Sequence, residues 1–568
     1  MPDISTRLVN DDARAGLVAQ GVDVRMAKLY AGRGVSVIYD LNTKLDALLA
    51  PNLLLHIEQA AQYLANAIAA KKRLLIVADY DADGATACAL GMRALSMMGG
   101  VVDFIVPNRF TLGYGLTPEV VALAADHAAG KPDVIITVDN GIASVDGVAA
   151  ANRLGIEVVV TDHHLPGQAL PDAAVIVNPN QPGDTFPSKS LAGVGVMFYT
   201  MLALRAELRK RGAFNKNAAN GTEPNLAALL DLVALGTVAD VVKLEHNNRI
   251  LVEQGLQRIR AGRACPGINA LLKVGGRDAA RASTYDLGFV LGPRINAAGR
   301  LEDMSIGIHC LLADDNASAM KLAAQLDHLN RQRRVIEADM KIDAHATLDS
   351  IDWHNRYALA MFAPDWHLGV VGILAGRIRE QTHRPVIAFA RDGAGNLKGS
   401  GRSIGALHMR DALDLISKRF PDLIEKFGGH AMAAGLTIRE AALPDFAKAF
   451  ETVARELLTP TDLQEIIETD GTIDAVALDF DFVRSLESQV WGQGFVAPSY
   501  MGAFKVVQQR VVGEKHLKLK LHMGGKTFEA MRFGSADSLN TNFDAVFRPS
   551  INTFRGESVV QLMIGHVA

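Results

Sequence analysis

Three aspartates at alternate positions, Asp79, Asp81 and Asp83, come directly after the apolar run Leu74–Val77. A continuous apolar run of this length suits a strand buried on both faces, and hence the middle of a parallel sheet. Three carboxylates within five residues repel one another, so the turn persists only with raised pKa values or with a cation among them. The stretch therefore predicts a metal-binding turn at the end of a buried strand. Two other readings compete with it. An EF-hand also opens with Asp-x-Asp-x-Asp-Gly, but its twelfth position is a bidentate Glu and here is Leu90, and it comes after a helix and not a strand. The second makes Asp83 only the cap of a helix beginning near Gly84.

A regular alternation continues from there. Strands are expected at Leu74–Ala78, Val101–Val106, Val134–Val138 and Ile156–Thr161, with helices at Gly84–Met98, Thr117–Ala129 and Ala143–Leu154, and the run ends at Thr161. That order predicts a mostly parallel sheet with helices on both faces, whose ligands sit outside the carboxyl ends of the strands. Those ends carry Asp79, Asp81 and Asp83; Asp139-Asn140-Gly141; and Asp162-His163-His164. Hard carboxylates with imidazole suit Mn²⁺ or Mg²⁺, and so many acids make room for two ions. Further on, Gly236–Asp240 is an apolar segment ending in an acid, and locally Asp240 reads as a cap for the next stretch of chain. Gly292–Arg300, GPRINAAGR, reads as a loop whose arginines suit a phosphate-bearing ligand.

Residues 1–70 are expected to form a helical lead-in, and 71–313 the first α/β domain. Asp314 to Ile351 lacks both Gly and Pro and keeps helical spacing, which suits a connecting helix over 314–351. A second, smaller α/β domain is expected over 352–460, with glycine-rich loops at Trp366–Gly369, Gly399–Ser403 and Gly428–His430 that could each present backbone N–H groups to an anion. Over 465–568 the pattern changes to short strands. Leu517, Leu519 and Leu521 alternate with Lys518 and Lys520, and phenylalanines are interleaved, which fits an oligonucleotide-binding (OB) barrel.

Charge sharpens that last point. The 568 residues carry a net charge of -4, which gives no global attraction for nucleic acid, yet 501–568 holds nine Lys/Arg against five Asp/Glu. A nucleic-acid partner would thus be gripped locally. The three cysteines are scattered and odd in number, which fits a reduced, cytoplasmic protein. The start of the chain does not resemble a signal peptide, and the apolar stretch Ser190–Leu204 is short for a membrane span.

DYDADG, VDNG, TDHH and GTVAD, in this order, resemble the phosphoesterase family named for its Asp-His-His motif (DHH), while GSGRS and GGHAMAAG resemble the domain that accompanies it (DHHA1). With PRINAAGRLEDMS between them the pattern is similar to the family's bacterial single-strand-specific exonucleases, from about residue 40 onward. The resemblance implies removal of mononucleotides in the 5′→3′ direction, in DNA repair and recombination, with two divalent ions, Mn²⁺ or Mg²⁺. It implies Asp79, Asp81, Asp83, Asp139, His163 and Asp240 as ligands, His164 near the scissile phosphate and Asp162 as its support. In related phosphatases a histidine stands four residues before Asp81, where this chain has Val77, and Asp79 is taken to supply the replacement. Arg109 and Tyr114 would guide the strand. Arg294, Asn296, Arg300, Ser400, Arg402 and His430 would hold the terminal phosphate and the entering strand. The resemblance also implies a monomer that meets single-strand-binding protein and a helicase. The alternatives are a phosphodiesterase of short oligonucleotides or cyclic dinucleotides, which would lack the long helix and the basic barrel, and a non-catalytic DNA-binding scaffold, which would have lost the acids.

Overall fold

The structure, a computed structural model, describes residues 3–214, 221–554 and 556–567. The chain falls into two units, one of Ser5–Asp327 with Glu468–Ala568, the other of His328–Ile467 with the first residues. A short strand, β1 (Asp3–Thr6), opens the chain. The first unit is then built on five parallel strands, β2 (Arg73–Ala78), β3 (Val101–Ile105), β4 (Val134–Val138), β5 (Glu157–Thr161) and β6 (Val175–Val177), in the order β3-β2-β4-β5-β6. β2 from Leu74 on and the whole of β4 are buried, as central strands with both faces covered must be, whereas β3 at the edge alternates with solvent. Strand order reverses at β2, whose neighbours β3 and β4 lie on opposite sides. A crevice opens outside the strand ends at such a switch point, and here it lies between the loops after β2 and β4.

The helix after β2, Ala82–Met97, is buried continuously from Ala82 to Gly91, Asp83 and Thr86 included, and is packed between the sheet and the helices Gly193–Lys210 and Leu230–Ala239. Gly91 is required there: a Cβ would come 2.6 Å from Met197 Cε and 2.9 Å from Ile76 Cδ1.

Several local expectations are corrected. The parallel run does not end at Thr161, because β6 adds a fifth strand. The helix after β2 is capped by Asp81, not Asp83: Asp81 Oδ1 accepts from the N–H groups of Asp83 and Gly84. GPRINAAGR is not a loop but most of a helix, Gly292–Leu301, with Pro293 in its first turn, where a missing N–H costs nothing. Asp240 ends the helix Leu230–Ala239 and does not start the next one. Residues 1–70 are only partly helical: Asp11–Ala19, Val24–Ala31 and Ile57–Ala69 are α-helices, while Ile38–Leu53 contains three 3₁₀ turns.

The second unit carries β7 (Leu359–Phe362), β8 (Val386–Arg391), β9 (Asn396–Arg402), β10 (Lys426–Gly429) and β11 (Ala433–Arg439), in the order β10-β11-β9-β8-β7. Only β7 and β8 run parallel. Gly399–Arg402 therefore belongs to the central strand and not to a loop. Its glycines lie where neighbouring side chains leave no room, for a Cβ on Gly399 would meet Phe389 Cε1 at 2.5 Å and Leu436 Cδ2 at 2.7 Å. The helix Asn316–Asp349, 34 residues long, begins in the first unit and continues into the second.

After β12 (Ile466–Thr469), the strands β13 (Tyr500–Val512), β14 (His516–Met523), β15 (Lys526–Arg532), β16 (Asn542–Phe554) and β17 (Glu557–Val567) close a barrel in the order β13-β14-β15-β17-β16. On β14, Leu517, Leu519 and Leu521 are buried while Lys520 faces solvent. β1 pairs with β12, and beside them Arg33 clamps the buried Asp470 with Nη1 and Nη2 at 2.8 and 2.9 Å. Among the described residues no helix is long and apolar enough to cross a membrane.

Candidate metal centre

The acids of three strand ends converge in the crevice. Asp79, Asp81 and Asp139 can each place a ligand atom within 4.8 Å of the others', and so can Asp83, His163 and Asp240, and Asp139, His163 and His164. Asp139 joins two of these sets, and His163 Nε2 lies 3.1 Å from Asp139 Oδ1 and 3.6 Å from Asp240 Oδ2. Asp139 Oδ1 is buried without a hydrogen-bond partner, a costly state for a carboxylate unless a cation meets it. The donors are five carboxylates and two imidazoles, a set suited to Mn²⁺ or Mg²⁺. The residues fit two ions, one among Asp79, Asp81 and Asp139 and one among Asp83, His163 and Asp240, with Asp139 and His163 in contact between them. Val77, at the position of the phosphatase histidine, is buried in β2, and Asp79 just beyond it points into the cluster.

Electrostatics agree with that geometry. Burial, reinforced by neighbouring acids, pushes the carboxyls of Asp79, Asp139 and Asp240 well above their ordinary range, and it pushes Asp83 up to about 7. Four acids so displaced would be discharged by protons or by metal, and divalent metal is the stronger neutraliser. Asp162 behaves oppositely. Burial would raise its pKa, but the His164 hydrogen bond, both imidazoles and the Ile142 N–H hold it below the usual value. Its Oδ1 lies 2.8 Å from His164 Nδ1 and accepts from the N–H groups of His163 and His164. Burial disfavours a charged His164, yet the Asp162 bond and the charges of Asp79 and Asp81 outweigh it and lift the imidazole to about 9.

The backbone supports each donor in a way no local motif reveals. Asp83 accepts from the N–H groups of Gly193 (2.6 Å) and Val194 (2.9 Å), which begin the helix Gly193–Lys210. Gly193 could be nothing larger, because a Cβ would come 2.6 Å from Asp139 Oδ1. Gly236 is likewise confined, with a prospective Cβ 2.7 Å from Asp83 Oδ1. Asn178 donates to the His164 carbonyl (2.9 Å) and Asn180 to that of His163 (2.6 Å), fixing the turn after β5. Asp139 itself has φ 62°, and Val241, next to Asp240, has φ 63° although β-branched. Backbone strain of this kind persists where surrounding structure enforces it, commonly beside a functional group. Of these residues, the sequence patterns singled out only the acids and histidines.

Tyr114 Oη is 3.3 Å from both ring nitrogens of His164 and 3.3 Å from the Asp139 carbonyl. The Arg109 guanidinium stacks 4.5 Å above the Tyr80 ring, and both line a pocket with Phe110 and Gly299. Asn296 Oδ1 accepts from the Ala82 N–H (2.7 Å), tying the Gly292–Leu301 helix to the Asp81 turn. Arg294 on that helix faces Asp327, whose Oδ1 lies 3.0 Å from Nε and 2.9 Å from Nη2. Arg300 is further along the same helix and half-buried. Ser400, Arg402 and His430 belong to the second unit. Arg402 Nη1 donates to Ser400 Oγ (3.2 Å) and the Gly401 carbonyl (2.8 Å), beside Gly372 in the first turn of the helix Val371–Thr382, and the exposed His430 comes just after β10.

Comparison with known proteins bears on the same residues. Residues 73–237 match the DHH family N-terminal domain, 354–456 the DHHA1 domain and 469–566 the RecJ OB domain. The chain is 50% identical over 554 residues to the single-stranded-DNA-specific exonuclease RecJ of Dickeya dadantii, covering 95% of both, and 48% identical to that of Escherichia coli K12 with the same coverage. Among solved structures, RecJ from Thermus thermophilus with Mn²⁺ superposes with a TM-score of 0.80 at 29% identity, over 100% of this chain and 79% of that one. The buried acid cluster thus sits in a DHH domain, joined by a long helix to DHHA1 and succeeded by an OB barrel, and the chain belongs to the RecJ family of exonucleases.

Proposed function

We infer that the chain is a metal-dependent exonuclease specific for single-stranded DNA, which releases mononucleotides from the 5′ end in DNA repair and recombination. The observation that carries this reading is the pair of adjacent donor sets, Asp79, Asp81 and Asp139 beside Asp83, His163 and Asp240, at the switch point, in a chain about half identical over nearly its whole length to RecJ exonucleases. Mn²⁺ or Mg²⁺ held there supplies the Lewis acidity that makes water nucleophilic at neutral pH and offsets charge on the phosphate.

The side chains do the rest. Asp79, Asp81 and Asp139 would serve as one donor set and Asp83, His163 and Asp240 as the other, with Asp139 Oδ1 3.1 Å from His163 Nε2 where the two sets meet. His164, oriented by its hydrogen bond to Asp162, offers a ring N–H to a phosphate oxygen, and Tyr114 steadies its ring. Arg109, Asn296 and Arg300 flank the acid turn on the side where a strand could enter. Arg294, engaged with Asp327, acts by fixing the Gly292–Leu301 helix to the long helix. Ser400, Arg402 and His430 suit a terminal phosphate, for a guanidinium grips phosphate oxygens in a planar, bidentate way.

The domain limits proposed are 71–313, 314–351, 352–460 and 465–568, after a lead-in over 1–70. We also place the protein in the cytoplasm as a monomer, fed by a helicase and meeting single-strand-binding protein; its three free cysteines suit a reducing compartment. Incubation with Mn²⁺ and a 5′-labelled single strand is expected to yield labelled mononucleotide first, with no product from a blunt duplex or in the presence of chelator. Internal cleavage, or hydrolysis confined to dinucleotides, would overturn the reading.

A further inference from the structure

From the last turn of the helix Pro266–Val274 toward the helix Gly292–Leu301, residues 273–289 place a large side chain on the surface at every fourth position: Lys273, Arg277, Arg281, Tyr285 and Phe289 are all exposed. Tyr285 is 56% exposed and Phe289 71%, which is unusual for two large rings in contact with each other. Their centroids are 5.0 Å apart with planes inclined by 24°, and the Arg277 guanidinium lies 5.5 Å from the Tyr285 ring. The only exposed acid within 273–289 is Asp278; the other, Asp286, is buried and engages Arg277 at 3.0 Å.

This surface is rigidly mounted between two parts of the first unit. Asp286–Leu291 winds as a π-helix, a distortion that persists mostly where a side chain must be aimed. It packs against the helix that ends in Asp240: a Cβ on Gly288 would meet Val238 Cγ1 at 3.2 Å, and one on Gly292 would meet Ala239 Cβ at 3.2 Å. On its other side Thr284 Oγ1 donates to the Trp491 carbonyl (2.8 Å), in the segment that leads to the barrel. The aromatic pair thus stands between a metal donor and the approach to the barrel, outside the site already described.

We propose that Tyr285 and Phe289 form a stacking platform for bases of the DNA single strand, with Lys273, Arg277 and Arg281 holding its phosphates. This rests on the exonuclease reading above. Charge decides for DNA over a protein surface: three exposed cations, of which Arg277 is paired with the buried Asp286, stand against one exposed acid in a chain of net -4, which matches a polyanion, and exposed stacked rings offer what unpaired bases need. A duplex has no free base faces to offer, so the platform would also favour single strands.

The test compares wild type, Tyr285→Ala/Phe289→Ala and Tyr285→Phe, each with a 20-nucleotide single strand and with the same strand made abasic at successive internal positions, by anisotropy in Ca²⁺. The double variant should bind the intact strand about tenfold or more weakly, the scale of losing one or two stacked bases. Abasic substitution should weaken wild type at some positions and leave the double variant indifferent there. Tyr285→Phe, which keeps the ring, should behave as wild type, and hydrolysis of a dinucleotide should be unchanged in all three. Equal binding of intact and abasic strands by wild type, or unchanged affinity of the double variant, would overturn the platform and leave the patch to a protein partner. A wild type that hydrolyses no single strand in Mn²⁺ would instead overturn the exonuclease reading itself.

Discussion

The acids after β2, β4 and β5 and the lysines of the C-terminal barrel are both dense clusters of charge, but they live in different solvents. In the crevice Asp83 and Asp139 are 0% and 1% exposed, so each charge is felt by its neighbours and single atoms such as the missing Cβ of Gly193 matter. On the barrel, Lys520 faces water across from Glu529, and Lys518 sits 3.2 Å from that same acid. There the sum of charge counts more than its geometry. Buried charge buys chemistry at a cost in apo stability, whereas solvated charge gives affinity and almost nothing to the fold.

The sharpest test of the buried side is Asp139→Ala. Removing a carboxylate that belongs to one donor set and abuts the other should lower Mn²⁺-dependent hydrolysis by about 10³-fold or more. The metal-free variant should melt above metal-free wild type, because a buried carboxyl whose Oδ1 lacks a hydrogen-bond partner has been removed. Retention of a tenth of the activity would show that Asp139 is not a ligand.

Next in size is Arg33→Ala, which probes a buried charge with a structural task only. It leaves Asp470 without its bidentate partner, and denaturant unfolding should show a loss of about 3–5 kcal/mol. Specific activity per folded molecule should be unaffected. A loss below about 1 kcal/mol would mean that water replaces the guanidinium there.

Buried and solvated charge should also differ in pH response. Asp83, raised from 3.8 to about 7, contributes stability that is complete below pH 4 and lost as pH climbs through 7; His164, raised from 6.5 to about 9, contributes below 6.5 and loses it through 9. Metal-free protein should therefore melt progressively lower between pH 6 and 9, and saturating Mn²⁺ should flatten the slope. A metal-free protein that melts higher at pH 8.5 than at pH 6 would contradict these burial effects.

The smallest effect belongs to the solvated side. Lys520→Gln should leave the melting temperature alone and reduce the log–log salt slope of single-strand binding by about 0.7, one phosphate's worth. An unchanged slope would place the strand on another face of the barrel.

How far the sequence foretold these regions depends on the range of the interactions. The acids of β2, β4 and β5 were legible because an apolar run and the polar residues after it are neighbours in the chain. β6 was not, since Val175–Val177 is too short to show a pattern and exists by pairing with β5. Gly399–Arg402 looked like a loop because its glycines are read locally as flexible, while their cause, Phe389 and Leu436 opposite Gly399 on the two flanking strands, is tertiary. The N–H groups of Gly193 and Val194, 110 and 111 residues from Asp83, leave no local trace at all.

The clamp of Arg33 on Asp470, with β1 laid along β12, has a consequence in time. Its partners are 437 residues apart, so a ribosome adding about 5–20 residues per second finishes the second roughly 20–90 s after the first. Throughout that interval the opening strand lacks β12 and Arg33 lacks Asp470, so these contacts at the beginning of the protein are among the last to form.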